Sequence, residues 1–250
     1  MKVNYFELLS PAPIPMPDAG QVLSPTLRRI SSIGYDVYQS YLAIVSLDLK
    51  AYLSMTPYAE TYELLPEEEK EKITLFQLLT ANPQSRELMQ SSLNFFLKED
   101  IQYAPSHHGF ISQTDGKATG LITKDNYPEL CSLICRRNCI KPAQEEDLSK
   151  IKSKKALEIM KKIQKGRTEK SNKKTIDNNM ELGNIISAVA NKSHSLNILT
   201  IWDLTVFQLW DCFSRLSNNS IYDIQSMSVA AWGNKDNYFD ATAWFKRIDR

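Results

Sequence analysis

Apolar side chains recur every three or four residues along most of this 250-residue chain, the spacing that gathers them on one face of a helix. Leu27, Ile30 and Ile33 form the first such face. Ser24 as N-cap and Pro25 in the first helical position predict its start, and Gly34 predicts its stop. Tyr35, Tyr38, Leu42 and Val45 carry the pattern into a second helix. Pro66 followed by Glu67, Glu68 and Glu69 reads as a helix first turn, where carboxylates meet the positive end of the dipole. It lies in an acidic stretch that also holds Glu60, Glu63 and Glu71. Thr74 and Gln77 have capping-box spacing, and Asn82-Pro83 opens a helix running through Leu88 and Met89 to Phe95-Phe96-Leu97. A helix beginning near Asn126 and Pro128 carries Cys131, Cys135 and Cys139 along one stripe.

The pattern resumes at Met180, Leu182, Ile185, Ile186 and Val189. Thr205 and Gln208 form a second capping-box match, opening a helix with Val206, Leu209, Trp210, Phe213 and Leu216 on one broad face. Ser217-Asn218-Asn219 is expected to break it. Ile221, Ile224 and Met227 then start another helix that Gly233 ends, and Asp240 caps a last one bearing Trp244 and Phe245.

Strand signals are confined to two places. Pro11, Pro13, Pro15 and Pro17 alternate with Ala12, Ile14 and Met16, which predicts an extended edge strand or polyproline segment. Asp18-Ala19-Gly20 turns it, and Gln21-Val22-Leu23 can return as a short strand. An SH3-type ligand is the alternative, but no flanking basic anchor is present. Between residues 101 and 122, Ile101-Gln102-Tyr103, Phe110-Ile111 and Ala118 to Ile122 are separated by turns, which predicts a small antiparallel hairpin or meander. The expected fold class is mainly α: helical bundles with this minor β element and a proline-rich N-terminal arm. Three stretches are expected: an N-terminal helical unit at 1–145 with the hairpin at about 101–122, a basic helix and linker at 146–177, and a Trp-rich helical unit at 178–250.

Charge marks that middle stretch. The whole chain balances 30 basic against 29 acidic side chains, which excludes a uniformly basic nucleic-acid protein. Residues 149–174 alone carry 11 basic and two acidic side chains, and an apolar stripe that starts at Leu148 just before them continues through Ile151, Leu157, Met160 and Ile163. Such a segment suits phosphates or an acidic protein surface, including this chain's own Glu-rich 60–71 region. It contains no Phe, Tyr or Trp on which bases could stack, so protein is the favoured target. The candidate partner-binding cations are Lys154, Lys155, Lys161, Lys162, Lys165 and Arg167. Trp202, Trp210, Trp232 and Trp244, all in the last 50 residues, either build an aromatic core or serve as partner-binding anchors.

No arrangement points to catalysis, and no enzymatic activity is expected. The three histidines, His107, His108 and His194, accompany no Gly-x-Ser-x-Gly elbow, and nothing marks Cys131 or Cys135 as an activated thiol. Gly116-Lys117 lacks the upstream glycine and following hydroxyl of a phosphate loop. The adjacent pair His107 and His108 would point to opposite faces of a strand, so a polar turn is preferred to a metal site. The cysteines lack the second close pair of a zinc site and are read as reduced core residues. No metal and no cofactor are expected. The N-terminus has no signal-type apolar run, and the greasiest stretch, Tyr41 to Leu53, falls short of the roughly 20 apolar residues of a span.

Four blocks add a resemblance: Ser24-Pro25-Thr26-Leu27 with Ile33-Gly34-Tyr35; Met180-Glu181-Leu182-Gly183-Asn184-Ile185; Trp202-Asp203-Leu204-Thr205; and Ser226 through Asp236. Together, in this order and over most of the chain, they resemble proteins from the tail-morphogenesis region of tailed bacteriophages and prophages of Gram-positive hosts. These are of the kind called tail assembly chaperones. The resemblance implies a non-enzymatic protein of the host bacterial cytoplasm. It would keep a tape-measure protein soluble while tail tube subunits polymerise round it, and homo-oligomers are compatible with that role. A structural virion component of the tail or neck, and a phage DNA-binding protein using residues 149–174, are the alternatives.

Overall fold

The computed structural model describes residues 2–140, 178–234 and 239–248. Eleven α-helices and two small antiparallel sheets make up the described part, so the chain is mainly α with minor β. The basic segment at 149–174 lies outside the described residues.

Where local chemistry is strong, the elements begin and end as it dictates. Thr74 accepts from Gln77 N while Gln77 caps it in return, opening α7 (Leu75–Ala81). Asn82 accepts from Gln84 N and Ser85 N, with Pro83 in the first turn of α8 (Pro83–Phe96). Earlier come α1 (Tyr5–Leu9), α2 (Leu27–Ile33), α3 (Tyr35–Ser46), and three short helices, α4 (Leu49–Ser54), α5 (Ala59–Glu63) and α6 (Glu67–Lys70). Gly34, at φ 89°, makes the break between α2 and α3.

The start of α2 differs from expectation. Its N-cap is Thr26, which accepts from Arg29 N at 3.2 Å, two residues beyond Ser24. Leu23 N donates to Phe96 O, Leu27 N donates to Leu204 O, and Thr26 bridges Thr205. These tertiary bonds hold residues 23–26 extended and delay the helix to Leu27. Ser24 is buried there, its hydroxyl without a protein partner.

The arm forms the hairpin β1 (Ile14–Met16) and β2 (Gly20–Val22), and the meander is β3 (Asp100–Ala104), β4 (Gly109–Thr114) and β5 (Lys117–Ile122). Hairpin and meander lock together. Ser112 donates to Ala19 O at 2.5 Å and Leu121 N donates to Asp18 O at 2.6 Å. A Cβ at Gly120 would sit 2.6 Å from Asp18 O, so glycine is required for that approach. Asn94 on α8 fixes β3 by pairing its amide with both backbone groups of Ile101, each at 2.9 Å.

One core gathers these elements. Tyr38, Phe95 and Phe96 meet at ring distances of 5.0 to 6.4 Å, and Phe76 lies between Phe110 and Tyr127. α9 (Tyr127–Arg137) runs through it, burying Cys131 and Cys135. Cys139 falls beyond the helix end, at φ 56°, so the expected stripe of three is a buried pair with a third thiol outside it. The same core takes Ile185, Ile186 and Val189 from α10 (Leu182–Lys192), and Val206, Phe207 and Leu209 from α11 (Val206–Trp232). Side chains on both flanks of the 146–177 stretch thus share one interior.

The arm is tied down by two consecutive arginines. Arg136 donates to Val3 O at 2.6 Å, and Arg137 donates to Ala12 O at 2.6 Å and Glu7 O at 3.3 Å. Arg137 is fully buried, and burial pulls its guanidinium down to about 10.

Candidate protein-binding surface

α11 departs most from expectation. It is one continuous helix of 27 residues, with no break at Ser217-Asn218-Asn219. Serine and asparagine lower helix propensity by only about 0.5 kcal/mol each, and no proline or glycine interrupts residues 206–232. On either side of the run serine hydroxyls are absorbed within the helix, Ser214 donating to Trp210 O and Ser220 to Leu216 O. Gly233 does end it, at φ 79°. The helix predicted from Asp240 is only a single 3₁₀ turn, Ala243–Phe245.

The first half of α11 is anchored. Thr205 and Gln208 complete the predicted capping box, Gln208 also donates to Leu9 O at 3.0 Å, and Tyr5 donates to Asp211 at 2.5 Å. Among the described residues beyond Leu216, none joins the core. Residues 217–232 span about 24 Å of helix and hold one charged side chain, Asp223. Ile221, Ile224, Met227 and Trp232 are exposed at 53%, 65%, 64% and 80%. Stripes of that kind on a nearly uncharged helix are otherwise covered.

The tail folds back along the same helix. Phe239 packs at a tilt against Tyr222, ring centroids 5.4 Å apart, Arg215 donates to Lys246 O at 2.8 Å, and Lys246 pairs with Asp240. The hydrogen bond from Lys246, helped by Thr242, holds the Asp240 carboxyl well below the usual carboxylate range. Trp244 and Phe245 stay exposed on the turn. Near the anchored half, the chain's two ends frame an open-sided cleft of about 530 Å³ walled by Tyr5, Phe207, Trp210 and Phe213, with Arg136 and Arg247 on its lining.

The four tryptophans therefore do not form a core, and none is fully buried. Trp202 and Trp210 are half-buried against the interior, whereas Trp232 and Trp244 are exposed. Trp210 and Trp232 are 22 residues apart on one helix, about 33 Å, and cannot join one patch. Trp232 and the aliphatic stripe share one half of the helix. Lys154, Lys155, Lys161, Lys162, Lys165 and Arg167 lie outside the described residues. The sequence pattern places Ile221, Ile224 and Met227 on a separate helix, whereas they belong to the distal half of α11. The signal that distinguishes it is the near absence of charge over 217–232.

Cys131 and Cys135 are free thiols, pushed up by burial to about 12 and about 11. Among the described residues no three His, Cys, Asp or Glu are grouped to hold a metal ion, and no helix is long and apolar enough to cross a membrane.

Residues 170–249, about a third of the chain, match the family model described as YomV second domain. The matched stretch covers α10, α11 and the folded-back tail. It supports a phage-associated protein. No curated protein and no solved structure matches.

Proposed function

We propose that this phage-associated chain is a non-enzymatic assembly protein that holds a long helical client, the tape-measure or tail tube protein, on the distal half of α11. The observation that carries the reading is the uncovered stripe Ile221, Ile224, Met227 and Trp232 on a helix whose other half is anchored in the core. An amphipathic client helix laid along such a stripe buries apolar surface on both partners, with Trp232 as the largest anchor. The single charge over 217–232 leaves little to desolvate on contact. The family match covers this helix and the tail that flanks it. The resemblance of the sequence blocks to tail-morphogenesis proteins adds the choice of client.

Co-expression with the tape-measure protein of the same genome tests the reading. The client is expected in the soluble fraction with the wild-type chain, and in the insoluble fraction with an Ile224→Glu, Met227→Glu variant. Equal client solubility with and without this chain overturns it.

A further inference from the structure

Residues 55–72 contain no buried side chain. α5 and α6 are five and four residues long and bury no side chain. Helices this short do not persist in water on their own propensity. Yet Met55, Tyr58 and Leu64 are exposed at 77%, 66% and 86%. Around them Glu60, Glu63, Glu67, Glu68, Glu69 and Glu71 all face solvent. Only Lys70 and Lys72 offset these six carboxylates, and Lys70 is already engaged with Glu67 at 3.0 Å. A cover for this face has to be apolar and strongly basic.

The chain itself contains a segment of that chemistry. Residues 149–174 carry 11 basic side chains against two acidic, with Ile151, Leu157, Met160 and Ile163 among them. The described stretch before this segment ends at Ile140, three residues after α9. The opposite end of α9 lies at the base of the acidic excursion: Tyr127 and Pro128 line one cleft with Asp48, Leu49, Thr74 and Leu75, where the excursion leaves and returns. α9 has 11 residues, about 16 Å. The eight residues 141–148 reach up to about 28 Å when extended. The basic segment can therefore span the length of α9 to the excursion of its own chain.

We infer that residues 149–174 dock on the 55–72 excursion of the same molecule, lysines against the glutamates and aliphatic side chains against Met55, Tyr58 and Leu64. This pairing does not depend on the client reading, which uses the distal half of α11.

The test uses the full-length protein, isotopically labelled and unlabelled copies mixed in equal amounts. A zero-length carbodiimide joins carboxylates to lysine amines, and the linked peptides are read by mass spectrometry. The expected result is links from Glu60, Glu63 and Glu67–Glu71 to lysines of 149–174 within singly labelled peptides, lost at about 1 M salt, where screening acts over about 3 Å. A Tyr58→Ser, Leu64→Ser variant keeps every carboxylate and removes only exposed side chains; its links are expected to be lost. Links carried between labelled and unlabelled copies would assign the cover to a second copy and overturn the proposal. So would links spread equally over Asp36, Asp125 and Asp223, or links that survive the serine substitutions.

Discussion

The two halves of α11 are one helix in two environments. From Val206 to Leu216 it is capped by Thr205, buried through Val206, Phe207 and Leu209, and bonded to the arm through Gln208 and Tyr5. From Ser217 to Trp232 it has the tail on one side and solvent on the rest. Helix continuity needs only adequate propensity, but stability needs packing. The distal half is thus held by its attachment to the proximal half and leaves its apolar stripe available.

A proline in each half is the sharpest way to break this comparison. Leu209→Pro removes a core side chain and an interior helix bond, and its ring clashes with the Thr205 carbonyl; bond and clash together cost at least about 3 kcal/mol. It is expected to leave the protein largely unfolded by circular dichroism. Ile224→Pro is expected to remove helical signal for about the last two turns and leave the urea midpoint unchanged. Equal loss of midpoint would show one cooperative unit and end the distinction.

Truncation gives a milder version. Phe207→Ala should cost about 3–5 kcal/mol in urea unfolding. Alkaline pH reaches the core by another route. Burial holds the Cys131 and Cys135 protons to about 12 and about 11, against an ordinary 9.0. The unfolded chain releases those protons above about 9 while the folded chain keeps them. Stability therefore falls as pH rises from about 9, and the loss from these groups is complete by about 12. A Cys131→Ala, Cys135→Ala variant should lose less midpoint than wild type between pH 7 and 10.5. Residues 217–232 contain no cysteine and take no part in this effect.

Thr205→Ala removes the cap that accepts from Gln208 N, with an expected loss of about 1 kcal/mol in the same unfolding assay. Smallest of all, Met227→Ala should stay within about 0.5 kcal/mol of wild type, as surface substitutions do. A larger loss would mean that the stripe is covered within the chain.

Much of the secondary structure was legible because its causes are local. The Thr74–Gln77 and Thr205–Gln208 boxes, Asn82-Pro83 and the glycine stops at 34 and 233 each satisfy backbone groups within a few residues. The turns at 106–109 and 113–116 likewise set the meander. The candidate surface was half legible. Ile221, Ile224 and Met227 stood out by spacing and Trp232 by the clustering of tryptophans in the last 50 residues, but spacing alone does not say whether a stripe is covered, and the Ser-Asn-Asn run concealed that it belonged to the anchored helix.

The sequence by itself determined the helical class, the caps at Thr74, Asn82 and Thr205 and the small β meander, since those depend on bonds between near neighbours. Only the tertiary structure decided that α2 starts at Leu27, that Cys139 leaves the stripe, and that Trp202 and Trp210 are half-buried against the interior while Trp232 and Trp244 stay exposed. Each of those depends on whether a distant segment, such as Leu204, the arm or the folded-back tail, arrives to pair with a backbone group or to cover a side chain.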